Sequence, residues 1–248
     1  MKNIILIALS LFIFSVGAYA QDAAAPVDEK PWKAEAEAGI VSSNGNTRSS
    51  SYLIKNITSY KFDAYLAKLN GSYLSNESRD NATNTTTSYE KWDVGLRIER
   101  DLSEKLGIFL GQNIESDKKA GIDRRFNSDL GAKYYVAKKE DYYTFTELGY
   151  RYTTEEYITG VDKNFDFIRA YIESEKKWTP TFSSKLWVEY LPNLDETDDY
   201  NVNGEASINA SLDSTFSIKT AYLVKYDNMP AAAHKTDSLF STALIAKF

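Results

Sequence analysis

From Trp32 onward the chain alternates apolar and polar residues with a period of two, the spacing of a β-strand whose two faces meet different surroundings. Trp32, Ala34, Ala36, Ala38 and Ile40 share one face, and Lys33, Glu35 and Glu37 the other. Near 87–100, Trp92, Val94, Leu96 and Ile98 oppose Lys91, Asp93, Arg97 and Glu99; near 126–136, Phe126, Leu130, Ala132, Tyr134 and Val136 oppose Asn127, Asp129 and Lys133. Near 200–212, Val202, Ala206, Ile208 and Leu212 oppose Asn201, Asn203 and Glu205. Weaker versions put Tyr65, Leu69 and Tyr73 against Lys68, and Phe216, Ile218 and Tyr222 against Lys219 and Lys225. Two segments resist the pattern. Near 49–60, Tyr52-Leu53-Ile54 sets large apolar groups on both faces, and near 164–176, Phe165, Phe167 and Tyr171 face away from Ile168 and Ile172, so a bulge or a shifted register is expected there.

The breaks between these segments are of two kinds that alternate. Those near 61–63, 101–105, 137–141, 177–181 and 213–215 are short; those near 76–86, 116–125, 153–164, 193–199 and 227–235 read as longer polar loops. Asn44-Gly45, after the first strand, is a tight-turn signal because both residues tolerate positive φ. Short turns on one rim and longer loops on the other are the habit of a transmembrane barrel, and about twelve strands fit its span length and even strand number. Even parity puts both ends of the sheet on the short-turn, periplasmic rim. The last strand must then pair with the first, because a bare strand edge is not tolerated in lipid. Phe240, Leu244 and Phe248 form the apolar face of that last strand, with Ser241 and Lys247 opposite. A terminal aromatic on the lipid face resembles the signal that outer-membrane assembly machinery reads.

Residues 1–20 read as a signal peptide: Lys2 supplies a positive start, Ile4 to Val16 an apolar core too short to span a membrane, and Ala18-Tyr19-Ala20 a cleavage site. Cleavage near Ala20 leaves a polar leader at 21–31 and a single barrel at 32–248. Without Lys2 the 29 basic residues become 28 against 35 acidic, a net charge of about −7. No basic stripe stands out, so nucleic acid is not an expected partner. The chain has no cysteine, which excludes a disulfide-stapled secreted scaffold. A mean hydropathy of −0.43 excludes a helical membrane bundle but not a barrel, whose alternating strands average out.

Charge assigns the polar face. A Lys or Arg facing lipid at mid-membrane costs ~2–4 kcal/mol, so a set this dense must point inward. The lumen-lining candidates are Lys33, Glu35, Glu37, Lys68, Lys91, Asp93, Arg97, Glu99, Asp129, Lys133, Glu147, Arg151, Arg169, Glu173, Lys185, Glu189, Glu205, Lys219 and Lys225. Both signs are mixed, so they either pair across a narrow lumen or line a weakly selective pore. With no segregated field and no evident constricting loop, the narrow or closed lumen is favoured.

The stretches GIVSSNGNTRSSS, DLSEKLGIFLG, DRRFNSDLGAKYY and KTDSLFSTALIAKF together resemble a family of salt-induced outer-membrane proteins, also filed as domain of unknown function 481. The resemblance runs from about Trp32 to Phe248, and its best motifs are Gly45-Asn46-Thr47 and Lys235-Thr236-Asp237. It implies an outer-membrane barrel with no agreed activity and no catalytic residues to carry over.

Chemistry is thinly signposted. The one histidine, His234, has Asp237 and Ser238 nearby, but residues 237 and 238 of a strand point to opposite faces, so their clustering counts for little. One His and no Cys argue against a zinc site, and no cofactor is expected. Asp195, Glu196, Asp198 and Asp199 offer hard oxygens without the spacing of a known cation loop. The reading is therefore a bacterial outer-membrane barrel without enzymatic activity, in contact with lipid, lipopolysaccharide and the barrel-assembly machinery. It acts as a narrow channel for small ions or solutes or as an osmotic-stress envelope component. The alternatives are a barrel enzyme acting on lipids and a secreted lipocalin-like binder.

Overall fold

The computed structural model describes residues 31–43, 47–80, 84–230 and 235–248. The signal peptide, most of the leader, the Asn44-Gly45 turn and His234 lie outside the described residues. Twelve strands follow one another: β1 (Trp32–Ser43), β2 (Thr47–Phe62), β3 (Tyr65–Asp80), β4 (Thr86–Asp101), β5 (Leu106–Asp117), β6 (Ile122–Lys138), β7 (Tyr142–Tyr157), β8 (Asp162–Thr179), β9 (Phe182–Pro192), β10 (Tyr200–Ser211), β11 (Phe216–Asp227) and β12 (Thr236–Lys247). Each is antiparallel to the next, and β1 pairs with β12, which closes the sheet into a barrel. Beside the last ladder pair, Glu35 with Lys247, the Ala34 and Phe248 backbones exchange hydrogen bonds of 3.2 and 2.9 Å. Both ends of the sheet thus share one rim, as the even strand count requires.

Register decides which face each residue shows. Glu37 sits opposite Lys55, Leu53 opposite Leu74, Asp129 opposite Arg151 and Glu205 opposite Leu223, so one parity runs unbroken around the ring. The other parity is the outer face. It exposes a belt of large apolar side chains, among them Ile54, Leu69, Leu96, Leu110, Leu130, Leu148, Ile172, Leu186, Ile208, Tyr222 and Phe240. So much apolar surface facing outward, with carboxylates and guanidiniums buried inside, is the reverse of a water-soluble barrel and fits a lipid surround.

The two segments that resisted alternation hold regular registers. β2 pairs with β3 without a break, with Leu53 buried inside and Tyr52 and Ile54 outside. β8 turns Phe165, Phe167 and Tyr171 inward: Phe165 and Phe167 pack on each other with ring centroids 5.9 Å apart, and Tyr171 packs on rings from β7 and β9, so the inward face is not uniformly polar. The bulges fall elsewhere, beside Ser116, Asp123, Val136 and Trp178, close to strand ends.

The long loops expected at 76–86, 116–125 and 153–164 are a correction. β3 runs on to Asp80, β5 to Asp117, β6 starts at Ile122 and β7 runs to Tyr157, and a short 3-10 turn (Lys118–Ala120) with Gly121 at φ 83° suffices to join β5 to β6. Polarity there marks where the wall leaves the apolar belt, while Thr, Tyr and charged pairs keep the ladder going. The wider connections that persist are 193–199 and 228–235. On the opposite rim the turns are tight. In the β10–β11 turn the exposed Asp213 carboxylate accepts 2.7 Å bonds from the Thr215 and Phe216 N–H groups, which hold its pKa below the usual carboxylate range.

The outward assignment has a direct check. Leu130 lies at the middle of β6 on the exposed outer face. Leu130→Arg is expected to lower stability by ~2–4 kcal/mol in phospholipid vesicles, measured by reversible guanidinium unfolding.

Candidate functional site: the lumen

The inward face carries a connected ion network across neighbouring strands. Glu147 on β7 accepts from Arg169 on β8 at 2.6 Å and from Arg97 on β4. Two strands, β5 and β6, lie between β4 and β7 around the wall, so this contact exists only because both side chains lie inside a curved sheet. Arg97 also donates through Nε to Glu99 at 2.9 Å, and Glu99 collects Lys68 at 2.7 Å and Lys133 at 3.0 Å. On the far side Arg169 donates to Glu189 at 2.6 Å, Glu189 is shared with Arg151 at 3.2 Å and with Asn203 at 2.9 Å, and Arg151 grips Asp129 at 2.6 and 2.9 Å. The chain of contacts runs unbroken from Lys68 on β3 to Asn203 on β10. Five cations face four carboxylates within it, so the belt is close to neutral. Glu99, Glu147, Glu189, Lys133 and Arg169 are all buried, a placement tolerable only because each charge has partners with good geometry.

Small residues make the geometry possible. Gly131 and Gly149 face each other on β6 and β7. A Cβ on Gly131 would come within 2.7 Å of the Phe109 ring and of the Leu148 carbonyl oxygen. Phe109 fills that hollow, and the Arg97 guanidinium lies 3.8 Å above its ring on the way to Glu147. The glycine pair thus sets how low Arg97 can lie against the wall, a cation–π contact adding to its ion pairs.

Below this belt, toward the tight-turn rim, the lumen is aromatic. Tyr135, Phe145, Tyr171 and Trp187 pack in sequence across β6 to β9 with ring centroids 5.8–6.0 Å apart. The Tyr143 hydroxyl lies 2.8 Å from Glu173 and 3.0 Å from Glu175 and, having one proton, donates to one at a time; Tyr171 donates to Glu173 at 2.5 Å, and Lys185 completes that carboxylate at 2.9 Å.

Above the belt, toward the other rim, the two halves of the barrel meet. Glu115 on β5 pairs with Arg125 at 2.6 Å and with Lys225 on β11 at 3.8 Å. In a ring of twelve, β5 and β11 lie opposite one another, so this contact crosses the lumen. Arg125 also holds Glu155 at 2.5 Å, and Lys91 pairs with Asp117 close by. A smaller cluster on the remaining wall joins Lys219 to Glu205 at 3.0 Å and to Glu37 at 3.6 Å, with Lys55 3.7 Å from Glu37.

Every charged position singled out from the sequence has the inward parity. The structure joins most into the clusters above. Asp93 instead accepts from Asn70 and Ser72, and Glu35 and Lys33 sit at the exposed rim, Glu35 beside Lys247 at 3.9 Å. Glu115, Asp117, Arg125 and Glu155 were missed because they fall in or beside segments read as loops. Lys55 was missed with the register of β2. The signal for the first group was present in the continued alternation Asn113, Glu115, Asp117 and Arg151, Thr153, Glu155. Asp237 has the inward parity and Ser238 the outward one, so they do not converge. In the 193–199 loop the Asn193 side chain accepts from the Asp195 and Glu196 N–H groups and donates to Asp199 at 2.8 Å.

A closed, twelve-stranded antiparallel wall with an apolar outside and a paired-charge inside defines a transmembrane β-barrel of the outer-membrane type. The chain belongs to the protein family of unknown function DUF481, whose model matches residues 36–248. No curated protein sequence matches the chain. Among solved structures it is similar to the COG4313 outer membrane channel from Pseudomonas putida F1, at a TM-score of 0.52 and 12% identity over 91% of this chain and 100% of that one. The NanC porin gives 0.49 at 8% identity over 86% and 97%, and the KdgM porin 0.46 at 10% over 87% and 99%. At these identities the likeness is one of fold.

Glu147 is the node on which two guanidiniums depend. Glu147→Gln is expected to cost up to ~3–5 kcal/mol in guanidinium unfolding from lipid vesicles, because Arg97 and Arg169 each lose one of their two carboxylate partners inside the lumen. Glu156→Gln, at the exposed 3.9 Å pair with Arg124, is expected to cost under ~1 kcal/mol in the same assay.

Proposed function

We infer that the protein is an outer-membrane barrel giving small ions or solutes a narrow, weakly selective passage, without enzymatic activity. The observation that carries this reading is the Glu115–Lys225 contact between opposite walls, which makes the lumen one side-chain pair wide at that level. Because the central belt is almost neutral, a passing ion meets compensated charge on every side, which supports low conductance and little preference for sign. Outer-membrane placement rests on the apolar belt, the signal peptide read from residues 1–20 and the fold shared with outer-membrane channels.

Two partners follow from the same reading. Phe240, Leu244 and Phe248 all lie exposed on the outer face at the closing strand, which supports recognition of that strand by the barrel-assembly machinery. The polar strand ends that overhang the belt, on the rim away from the termini, support contact with lipopolysaccharide. A lumen that stays shut would leave the other role, an envelope component for osmotic stress.

Planar-bilayer recordings of the folded, heat-modifiable protein test the passage. Small, stable steps with reversal potentials near zero in a salt gradient are expected, and Lys225→Ala, which removes the trans-lumen contact while leaving Glu115 its Arg125 partner, is expected to enlarge them. Silence from both proteins, each verified as folded, would overturn the channel reading in favour of the structural one.

A further inference from the structure

The barrel wall is not closed to the same height everywhere. β1 is paired with β2 as far as Ser43, and β12 with β11 as far as Thr236. Yet among the described residues β1 and β12 pair with each other only from Glu35–Lys247 to Gly39–Ala243. Above that level the β12 edge from Thr236 to Thr242 and the β1 edge from Ile40 to Ser43 have no ladder between them. The β8–β9 ladder also stops early, at Ala170–Tyr190, but there the chain covers the edge. The Leu194 N–H donates to the Asp166 carbonyl at 2.7 Å, and Phe167 bridges to Asn193. The β1–β12 gap is therefore not simply what unequal strand lengths produce everywhere.

What lies on either side of the gap gives it a direction. Outside, Ile40, Tyr52, Phe240 and Leu244 are exposed on the apolar belt, so the lower end of the gap opens at a height where the surround is hydrocarbon. Ser238 and Thr236 continue the outer face above, so the gap runs on toward the polar boundary, where water can satisfy free backbone groups. Inside, the wall changes character at the same level. Just above the Glu37–Lys219 cluster, the strands flanking the gap turn Leu53, Leu74, Leu223 and Leu239 inward, around the small Gly39 and Ala243. The opposite wall at that height is the dense charged network.

We propose that the upper β1–β12 seam is a lateral opening through which an apolar chain, of the chemistry of a lipid acyl tail, passes between the outer leaflet and the leucine-lined side of the lumen. The occupant follows from the position, since hydrocarbon chains are what the surround offers at that height, and from the match between the apolar side chains outside the gap and the leucines inside it. The proposal goes beyond the ion passage, and ion conductance and lateral access can fail separately.

The chain has no cysteine, so cysteine pairs report the seam cleanly. In register, Ala38 faces Leu244 within the ladder, and Ile40 would face Thr242 just above it. A disulfide needs Cβ atoms ~3.5–4.5 Å apart. Ala38→Cys with Leu244→Cys is therefore expected to oxidise readily in vesicles, and Ile40→Cys with Thr242→Cys to stay reduced under the same treatment. The functional arm uses a diazirine-bearing fatty acid in vesicles of phospholipid holding the folded protein, with adducts mapped by mass spectrometry. Adducts are expected on Leu53, Leu223 and Leu239 as well as on Phe240. Bridging residues 40 and 242 with a short bis-maleimide is expected to abolish the lumenal adducts and spare the one on Phe240, whereas bridging 38 and 244 is expected to change neither. Equal oxidation of the two pairs, adducts confined to the outer face, or lumenal adducts that survive the 40–242 bridge would each overturn the proposal.

Discussion

A strand in hydrocarbon has nowhere to place its N–H and C=O groups except on another strand. That constraint orders the rest of this structure. It demands closure, closure joins β1 to β12, and the join puts the first and last residues of the sheet on one rim. Closure then creates an inside, and the inside is where the charges must go. The outer belt is consequently free to be apolar without a core of its own. Cohesion is carried by the backbone ladders between neighbouring strands and by contacts across the lumen, in place of the packed hydrophobic interior of a soluble protein.

Filling the lumen with ions raises its own difficulty. A buried carboxylate or guanidinium without a partner would cost more than the lipid-facing alternative it avoids, so the charges must neutralise one another locally. The network does this by sharing: Glu99 serves three cations, Glu147 and Glu189 two arginines each, and Arg97 and Arg169 in turn connect two acids apiece. Bidentate, planar guanidiniums suit such bridging better than ammoniums, and arginine accordingly occupies the centre while lysine dominates the edges. The same arrangement that stabilises the wall fixes what it offers a solute, which is compensated charge with little net field.

The sequence made the architecture legible because alternation is a local signal and each strand repeats it. Strand number, the parity of the termini, the joining of the last strand to the first and the inward set from Lys33 to Lys225 all follow from period two plus the cost of charge in lipid. Three things were not legible. The ends of β3, β5, β6 and β7 were lost because polar residues outside the membrane look like loop whether or not they are hydrogen-bonded. The inward aromatics of β8 contradicted a strictly polar lumen: Tyr171 is explained by its neighbouring rings on β7 and β9, and Phe165 and Phe167 pack on each other. Partners could not be assigned at all: that Lys225 reaches Glu115, far away in sequence, depends on the curvature of the ring, which no single strand encodes.

The distribution of lumenal chemistry bears on how the two sides of the barrel differ. Charge pairing is concentrated on β4 to β9, where the Gly131–Gly149 hollow and the aromatic lining seat the side chains. From β11 round to β3 small or aliphatic inward residues are interspersed with lysines, inward carboxylates are fewer, and Glu37 lies no closer than 3.6 Å to its lysines. A wall of side chains interlocked across several strands resists separation of any one pair, whereas β1 and β12 are held mainly by their own short ladder. The stiff half of the barrel and the half containing the closing seam are therefore set apart by the same sequence feature: where the charges sit densely, the wall is stapled from inside, and where they thin out at the seam, the backbone ladder is supplemented among the described residues only by the wider Lys219–Glu37 and Lys247–Glu35 pairs.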